Sequence, residues 1–159
     1  MKRLVTMVVC AVVLTCGTMC AQQRHAVGGY ALPIGNHREW LSDRPEDLVG
    51  KALLVEFVHT ANSRCREDVE KANEWAHTYN NILNVVMVTR EPAEQVFSVL
   101  MHEYQYAYVA LDEQGTIYRK FEVPHVPYAV LLSPQGGVLW MGNPANLNGE
   151  MLEQLLDVK

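Results

Sequence analysis

Long apolar runs alternate with amphipathic stretches through the middle of the chain. Residues 52–58 are apolar except for Glu56, which predicts a strand buried on both faces at the centre of a sheet. Apolar residues then recur at helical spacing over residues 63–79, and residues 82–89 form a second buried strand. A proline opens a second helix over residues 92–104. The pattern predicts a strand–helix–strand–helix unit with parallel strands.

The second half of the chain predicts shorter strands and a closing helix. Residues 106–111 and 117–121 have the pattern of short strands around a turn that contains glycine. Residues 128–132 and 138–141 predict a hairpin across a glycine-rich turn, and a last amphipathic helix follows Gly149. We therefore predict an α/β fold with a central mixed β-sheet flanked by helices.

The first 21 residues have the pattern of a signal peptide. A basic pair precedes an uncharged apolar run over residues 4–14, which is too short for a membrane span of about 20 residues, and Ala21 supplies a small residue before the cut. We predict a signal peptide over residues 1–21, an irregular lead-in over 22–39 and one domain over 40–159. The protein is then periplasmic or secreted.

Two alternatives to cleavage involve the membrane. The apolar run could stay as an anchor, which its length disfavours. Cys16 or Cys20 could instead be lipidated, although Thr15 and Met19 replace the small residue that normally precedes a lipobox cysteine. We expect contact with a membrane only if the chain is lipidated. Removal of the signal peptide leaves Cys65 as the single cysteine, so no intramolecular disulfide can form.

Composition and charge narrow the classes of partner. Hydrophobic residues make up 49% of the chain and charged residues 19%, which suits a domain with a real core rather than a disordered tail. The formal net charge is −5, whereas nucleic-acid binding needs a basic face. We therefore expect a protein or peptide partner and no nucleic acid.

Several motifs in this order resemble a known fold. Gly50 and Lys51 precede the first central strand, a cysteine lies at the start of the next helix, Val126 and Pro127 precede the hairpin, and residues 133–137 read Ser-Pro-Gln-Gly-Gly. From about residue 40 onward the chain resembles the thioredoxin fold. More narrowly, it resembles the extracytoplasmic TlpA and ResA type of thiol:disulfide oxidoreductase.

The resemblance implies a Cys-x-x-Cys motif after the first strand, with a nucleophilic and a resolving thiol. Here Asn62 stands at the nucleophile position and Cys65 at the resolving position, with Ser63 and Arg64 between them. An asparagine amide cannot form a mixed disulfide, so a dithiol cycle within one chain is unavailable. We predict instead that Asn62 caps the helix.

Cys65 has two opposite interpretations. Near a helix N-terminus and beside Arg64 and Arg66 it could have a lowered pKa and be reactive. Helical spacing also places it on one face with Val69 and Ala72, where burial would raise its pKa and leave it inert. We favour burial.

The resemblance assigns roles to two further sites. It implies a cis-proline at Pro127 and a backbone around Val126 that pairs with an extended substrate segment, so that a peptide groove could persist without redox chemistry. Glu56 is costly inside an apolar strand unless it is paired or protonated. The resemblance implies that such a carboxyl assists proton transfer to the resolving thiol or tunes Cys65.

A metal site is the weakest of the candidate chemistries. His59, Cys65 and His125 could meet at one end of the sheet, but their spacing is not a recognised ligand pattern and no second cysteine supports it. We expect no metal and no cofactor. The sequence thus predicts a peptide-binding module of thiol oxidoreductase lineage, with a monothiol enzyme that uses Cys65 in mixed disulfides as the alternative.

Overall fold

A computed structural model describes residues 34, 39–43, 48, 50–103 and 105–158. The predicted signal peptide, and all of the predicted lead-in except Ile34 and Glu39, lie outside these residues. The elements in chain order are β1 (Ala52–Phe57), α1 (Ser63–Thr78), β2 (Leu83–Thr89), α2 (Ala93–Glu103), β3 (Tyr108–Leu111), α3 (Thr116–Lys120), β4 (Tyr128–Leu132), β5 (Val138–Gly142), a 3-10 turn (Pro144–Asn146) and α4 (Gly149–Leu156).

One mixed sheet contains the five strands of this part of the chain, in the order β3-β2-β1-β4-β5. The strands β1, β2 and β3 are parallel, while β4 runs antiparallel to both β1 and β5. In the centre, Val55 pairs with Val86 on one side and with Val130 on the other. The predicted α/β class with a central mixed sheet is confirmed.

The apolar run of β1 is explained by two separate cores, one on each face of the sheet. Alternate side chains of a strand point to opposite faces. Leu54 belongs to the core that also contains Cys65, whereas Val55 belongs to the core that also contains Ile117. The alternation places Glu56 on the same face as Leu54 and the helix α1.

The helices are divided unequally between the two faces. Val69 of α1, Val96 of α2 and Leu152 of α4 share the core beside Leu54, and α3 contributes Ile117 to the opposite core. Within the described ranges, no helix is long and apolar enough to cross a membrane.

The prediction of a strand over residues 117–121 is wrong, because most of this segment belongs to α3. Ile117 and Phe121 lie four residues apart and are buried in the same core, which is the spacing of one helix face. The Asp112 carboxylate accepts hydrogen bonds from the backbone N–H groups of Thr116 (2.7 Å) and Tyr118 (2.9 Å). Because these bonds satisfy amides at the helix start, the segment turns instead of extending.

Candidate functional site

The loop after β1 and the loop before β4 meet at one end of the sheet. The Val126–Pro127 peptide bond is cis, as the resemblance implied. The amide nitrogen of Asn62 donates a long hydrogen bond of 3.5 Å to the carbonyl oxygen of Val126. Pro127 itself is buried, whereas Val126 lies at the surface of the loop, half-buried. The structure therefore brings the predicted motif loop and the predicted proline loop together.

Asn62 is the N-cap of α1, as predicted. Its backbone is extended and its side-chain oxygen accepts a hydrogen bond of 3.1 Å from the N–H of Arg64. Such a cap contributes about 1 kcal/mol to helix stability. Ser63 and Arg64 are exposed on the first turn. The position at the mouth of the site is thus held by an amide that serves the helix.

Cys65 is buried, with 2% of its surface exposed, and packs in the core with Val69. Burial raises the pKa of its thiol, and the nearby carboxyl groups of Asp68 and Glu56 add to this effect. A hydrogen bond from the backbone of His59 offsets it only in part. The thiol is therefore protonated at neutral pH, and the thiolate that would attack a disulfide is disfavoured.

Glu56 is fully buried, and neither of its carboxyl oxygens has a hydrogen-bond partner among the described residues. Burial raises the pKa of Glu56 to about 8; Asp68 adds to the rise and Lys71 opposes it. The Lys71 ammonium group lies 3.5 Å from Asp68 and donates a 2.7 Å hydrogen bond to the carbonyl oxygen of Pro144. Glu56 is consequently a mostly neutral acid at pH 7, on the same core face as Cys65.

The sequence analysis missed a clamp that fixes the loop after β1. The Glu91 carboxylate accepts hydrogen bonds from the Thr60 N–H (2.7 Å), the Thr60 hydroxyl (2.6 Å) and the Thr89 hydroxyl (3.0 Å). Burial alone would raise the pKa of Glu91, but these bonds and the nearby His59 outweigh it and lower the pKa. The available signal was a charged pair directly after a buried strand, at the edge where the parallel strands end.

The two histidines considered as metal ligands have other neighbours. The Nδ1 atom of His59 lies 3.4 Å from the Glu91 carboxylate, and the His125 ring packs against Tyr128 with 6.1 Å between ring centres. Within the residues that the structure describes, no three His, Cys, Asp or Glu side chains form a group that could hold a metal ion. The structure does not bring His59, Cys65 and His125 together as a ligand set.

An open groove of about 410 Å³ runs beside the proline loop. Its lining combines the loop after β1, the end of β2, α3 and the loop before β4, and consists of Val58, His59, Arg90, Tyr118, Val123, Pro124, His125 and Val126. The Tyr118 hydroxyl lies within hydrogen-bonding distance of the carbonyl oxygens of Val58 (3.3 Å) and Val88 (3.4 Å). Burial raises the pKa of Tyr118 well above its ordinary value, so the hydroxyl remains a donor that anchors this wall.

Comparison of the sequence with other proteins gives no match. No protein-family model fits the chain, and no curated protein is similar to it in sequence. The information on relatives therefore comes from structure.

Solved structures with the same fold are redox proteins. A thioredoxin-like protein in its oxidised form has a TM-score of 0.65 and 20% identity over 80% of this chain and 95% of its own. A secreted Mycobacterium tuberculosis disulfide oxidoreductase, homologous to E. coli DsbE, has a TM-score of 0.61 and 18% identity over 87% of this chain and 100% of its own. A putative thiol:disulfide interchange protein DsbE from Chlorobium tepidum has a TM-score of 0.60 and 24% identity over 68% and 79%. The chain has a thioredoxin-like fold.

Proposed function

We propose that this protein is a periplasmic or secreted member of the TlpA and ResA lineage that binds extended peptide segments without a dithiol redox cycle. The observation that carries the proposal is the open groove beside the Val126–Pro127 loop, next to a thiol that is buried. A groove with a fixed wall and an inert thiol suits recognition better than electron transfer.

The backbone of Val126 supports the binding of an extended segment. Its carbonyl oxygen accepts the long bond from Asn62, and its N–H group has no hydrogen bond to any described residue. An extended peptide that ran along the groove could accept this N–H, as in strand addition, where main-chain bonds give affinity and side-chain pockets give specificity. The side chains of Tyr118 and Val123 then offer an apolar floor.

The chemistry of the motif loop argues against dithiol exchange. Asn62 occupies the position of the attacking thiol in the proposed lineage, and its side chain is engaged in helix capping. Without a second thiol in the domain, Cys65 cannot resolve a mixed disulfide within the chain. The raised pKa and burial of Cys65 also argue against the monothiol enzyme.

The proposed location rests on the first 21 residues, whose pattern is that of a cleaved signal peptide. One of the structural neighbours is itself described as secreted. The proposal therefore places the mature chain outside the cytoplasm, beginning near Gln22. Intact mass of the exported protein tests this, since a diacylglyceryl group on Cys16 or Cys20 would instead make it a lipoprotein.

Filling the groove tests the peptide-binding function. Val123 is half-buried in the groove wall, so Val123→Trp should occlude the groove and abolish binding of fluorescently labelled, cysteine-free extended peptides of about six residues. Val158→Trp changes an exposed valine near the C-terminus and is the matched control. Binding that survives Val123→Trp in a folded protein would place the peptide elsewhere and overturn the proposal.

A further inference from the structure

Two arginine side chains converge on the same side of the groove, around Gly115. Gly115 has φ +65°, a left-handed conformation that glycine adopts without strain. A side-chain carbon added there would lie 3.3 Å from Arg90 Nε and 3.5 Å from Arg119 Nη1. Because both distances are measured from one point, the two charged groups are within about 7 Å of each other. The glycine keeps open the space between them.

Both guanidinium groups are held in place by contacts that do not neutralise them. Arg90 lies over the ring of Tyr118, with 5.8 Å to the ring centre. Arg119 donates hydrogen bonds to the Gln114 carbonyl oxygen (2.7 Å) and to the Thr116 hydroxyl (3.3 Å). Contacts of this kind reduce the conformational freedom that a ligand would otherwise have to remove, so the pair is partly preorganised.

The charge of this pair is not balanced by the surrounding carboxylates. Among the described residues, no carboxylate forms a salt bridge with Arg90 or Arg119. Glu122 lines the same wall but forms no ion pair there, and Asp112 directs its carboxylate to backbone N–H groups of α3. Two adjacent like charges repel each other, and an anion bound between them would relieve the repulsion.

We propose that the groove selects extended peptides that carry an aspartate or glutamate side chain, which binds between Arg90 and Arg119. The inference rests on the proposed peptide-binding function and names its substrate class. Arg90 lines both the part of the groove beside Val126 and the part around Gly115, so one segment can contact both. Arginine pairs with carboxylates through two parallel N–H donors, which makes such contacts strong and directional.

The position of the pair is also unusual for this protein. The chain as a whole carries a formal charge of −5, which repels an acidic partner at long range. A local pair of cations at the groove therefore directs an acidic segment to this surface rather than to the rest of the molecule. The contact should weaken as salt is added, because salt screens exposed charges within about 10 Å at 0.1 M.

Two matched peptides test the inference. Both are cysteine-free and about six residues long, and they differ only in that the first carries central Asp and Glu residues where the second carries Asn and Gln. Wild type should bind the acidic peptide about tenfold more tightly by fluorescence anisotropy, the difference expected for one charge-assisted contact. The double variant Arg90→Gln/Arg119→Gln should bind both peptides equally. Lys51→Gln, which removes an exposed cation before β1, should keep the tenfold preference.

The outcomes separate the two proposals. Equal binding of both peptides to wild type would overturn the acidic preference and leave the peptide-binding function standing. Failure of both peptides to bind would overturn the peptide-binding function itself. Inorganic phosphate at matched ionic strength is the further probe: if it displaces the acidic peptide stoichiometrically at micromolar concentration, the arginine pair is a site for free anions and the peptide inference is wrong. Arg119→Gln alone, at an exposed position, should reduce the preference if the double variant does not fold.

Discussion

Replacing Glu56 with glutamine tests whether the buried carboxyl is neutral in the folded protein. In the unfolded chain this carboxyl has its ordinary pKa of 4.5, whereas burial raises the pKa to about 8 in the folded state. Between these two values the unfolded state has lost its proton and the folded state keeps it. Glu56 therefore favours folding fully below pH 4.5, and this contribution is lost as the pH rises towards 8.

The size of the effect follows from the pKa change. Each pKa unit corresponds to about 1.4 kcal/mol, so the full difference is about 5 kcal/mol above pH 8 and about 3 kcal/mol at pH 7. Glutamine has the same shape and no proton to lose. The free energy of unfolding of Glu56→Gln relative to wild type should therefore rise by these amounts between pH 4.5 and pH 9, because other titrating groups are common to both proteins.

Urea unfolding at pH 4.5, 7 and 9 measures this difference. Glu113→Gln, at an exposed position, is the matched control and should differ from wild type by a constant small amount at every pH. A difference between Glu56→Gln and wild type that does not change with pH would refute the reasoning. It would mean that Glu56 is charged and paired in the folded protein, or equally protonated in both states.

Three shorter predictions concern the motif loop. Cys65 should react with a maleimide at least a hundredfold more slowly in the native protein than in urea, because burial shields the thiol and raises its pKa; equal rates would contradict this. Wild type should not accelerate the reduction of insulin by dithiothreitol, and Asn62→Cys should form a reversible disulfide with Cys65, seen as the loss of two titratable thiols. Glu91→Gln should lower the free energy of unfolding at pH 7 by about 2 kcal/mol through the weakened bonds from Thr60, against no change in Glu113→Gln; unchanged stability would show that the clamp is not needed.

The order of the elements could be predicted because each element carries its own periodic signal. The apolar run of β1 and the helical spacing around Cys65 are local patterns, and the structure has both elements where they were expected. Residues 117–121 were misassigned because Ile117 and Phe121 fit either a short strand or one helix face. The contact that decides between them comes from Asp112, outside the segment.

The composition of the site could be predicted only in part. Asn62, Cys65 and Val126 were found because the motif and the proline have fixed spacing along the chain. The Glu91 clamp joins residues 31 positions apart, and the Arg90 side chain reaches Tyr118 from a different element. Such contacts depend on which strand ends lie side by side, and sequence spacing alone does not contain that information.

The most direct test of the central claim is the affinity of one extended peptide, carrying a central cysteine beside an aspartate, for wild type and for Cys65→Ser. Under non-reducing conditions both proteins should bind it with the same dissociation constant, and no covalent complex should appear by intact mass. Loss of binding in Cys65→Ser, together with a mixed disulfide in wild type, would contradict the account and establish a monothiol enzyme in place of a binding module.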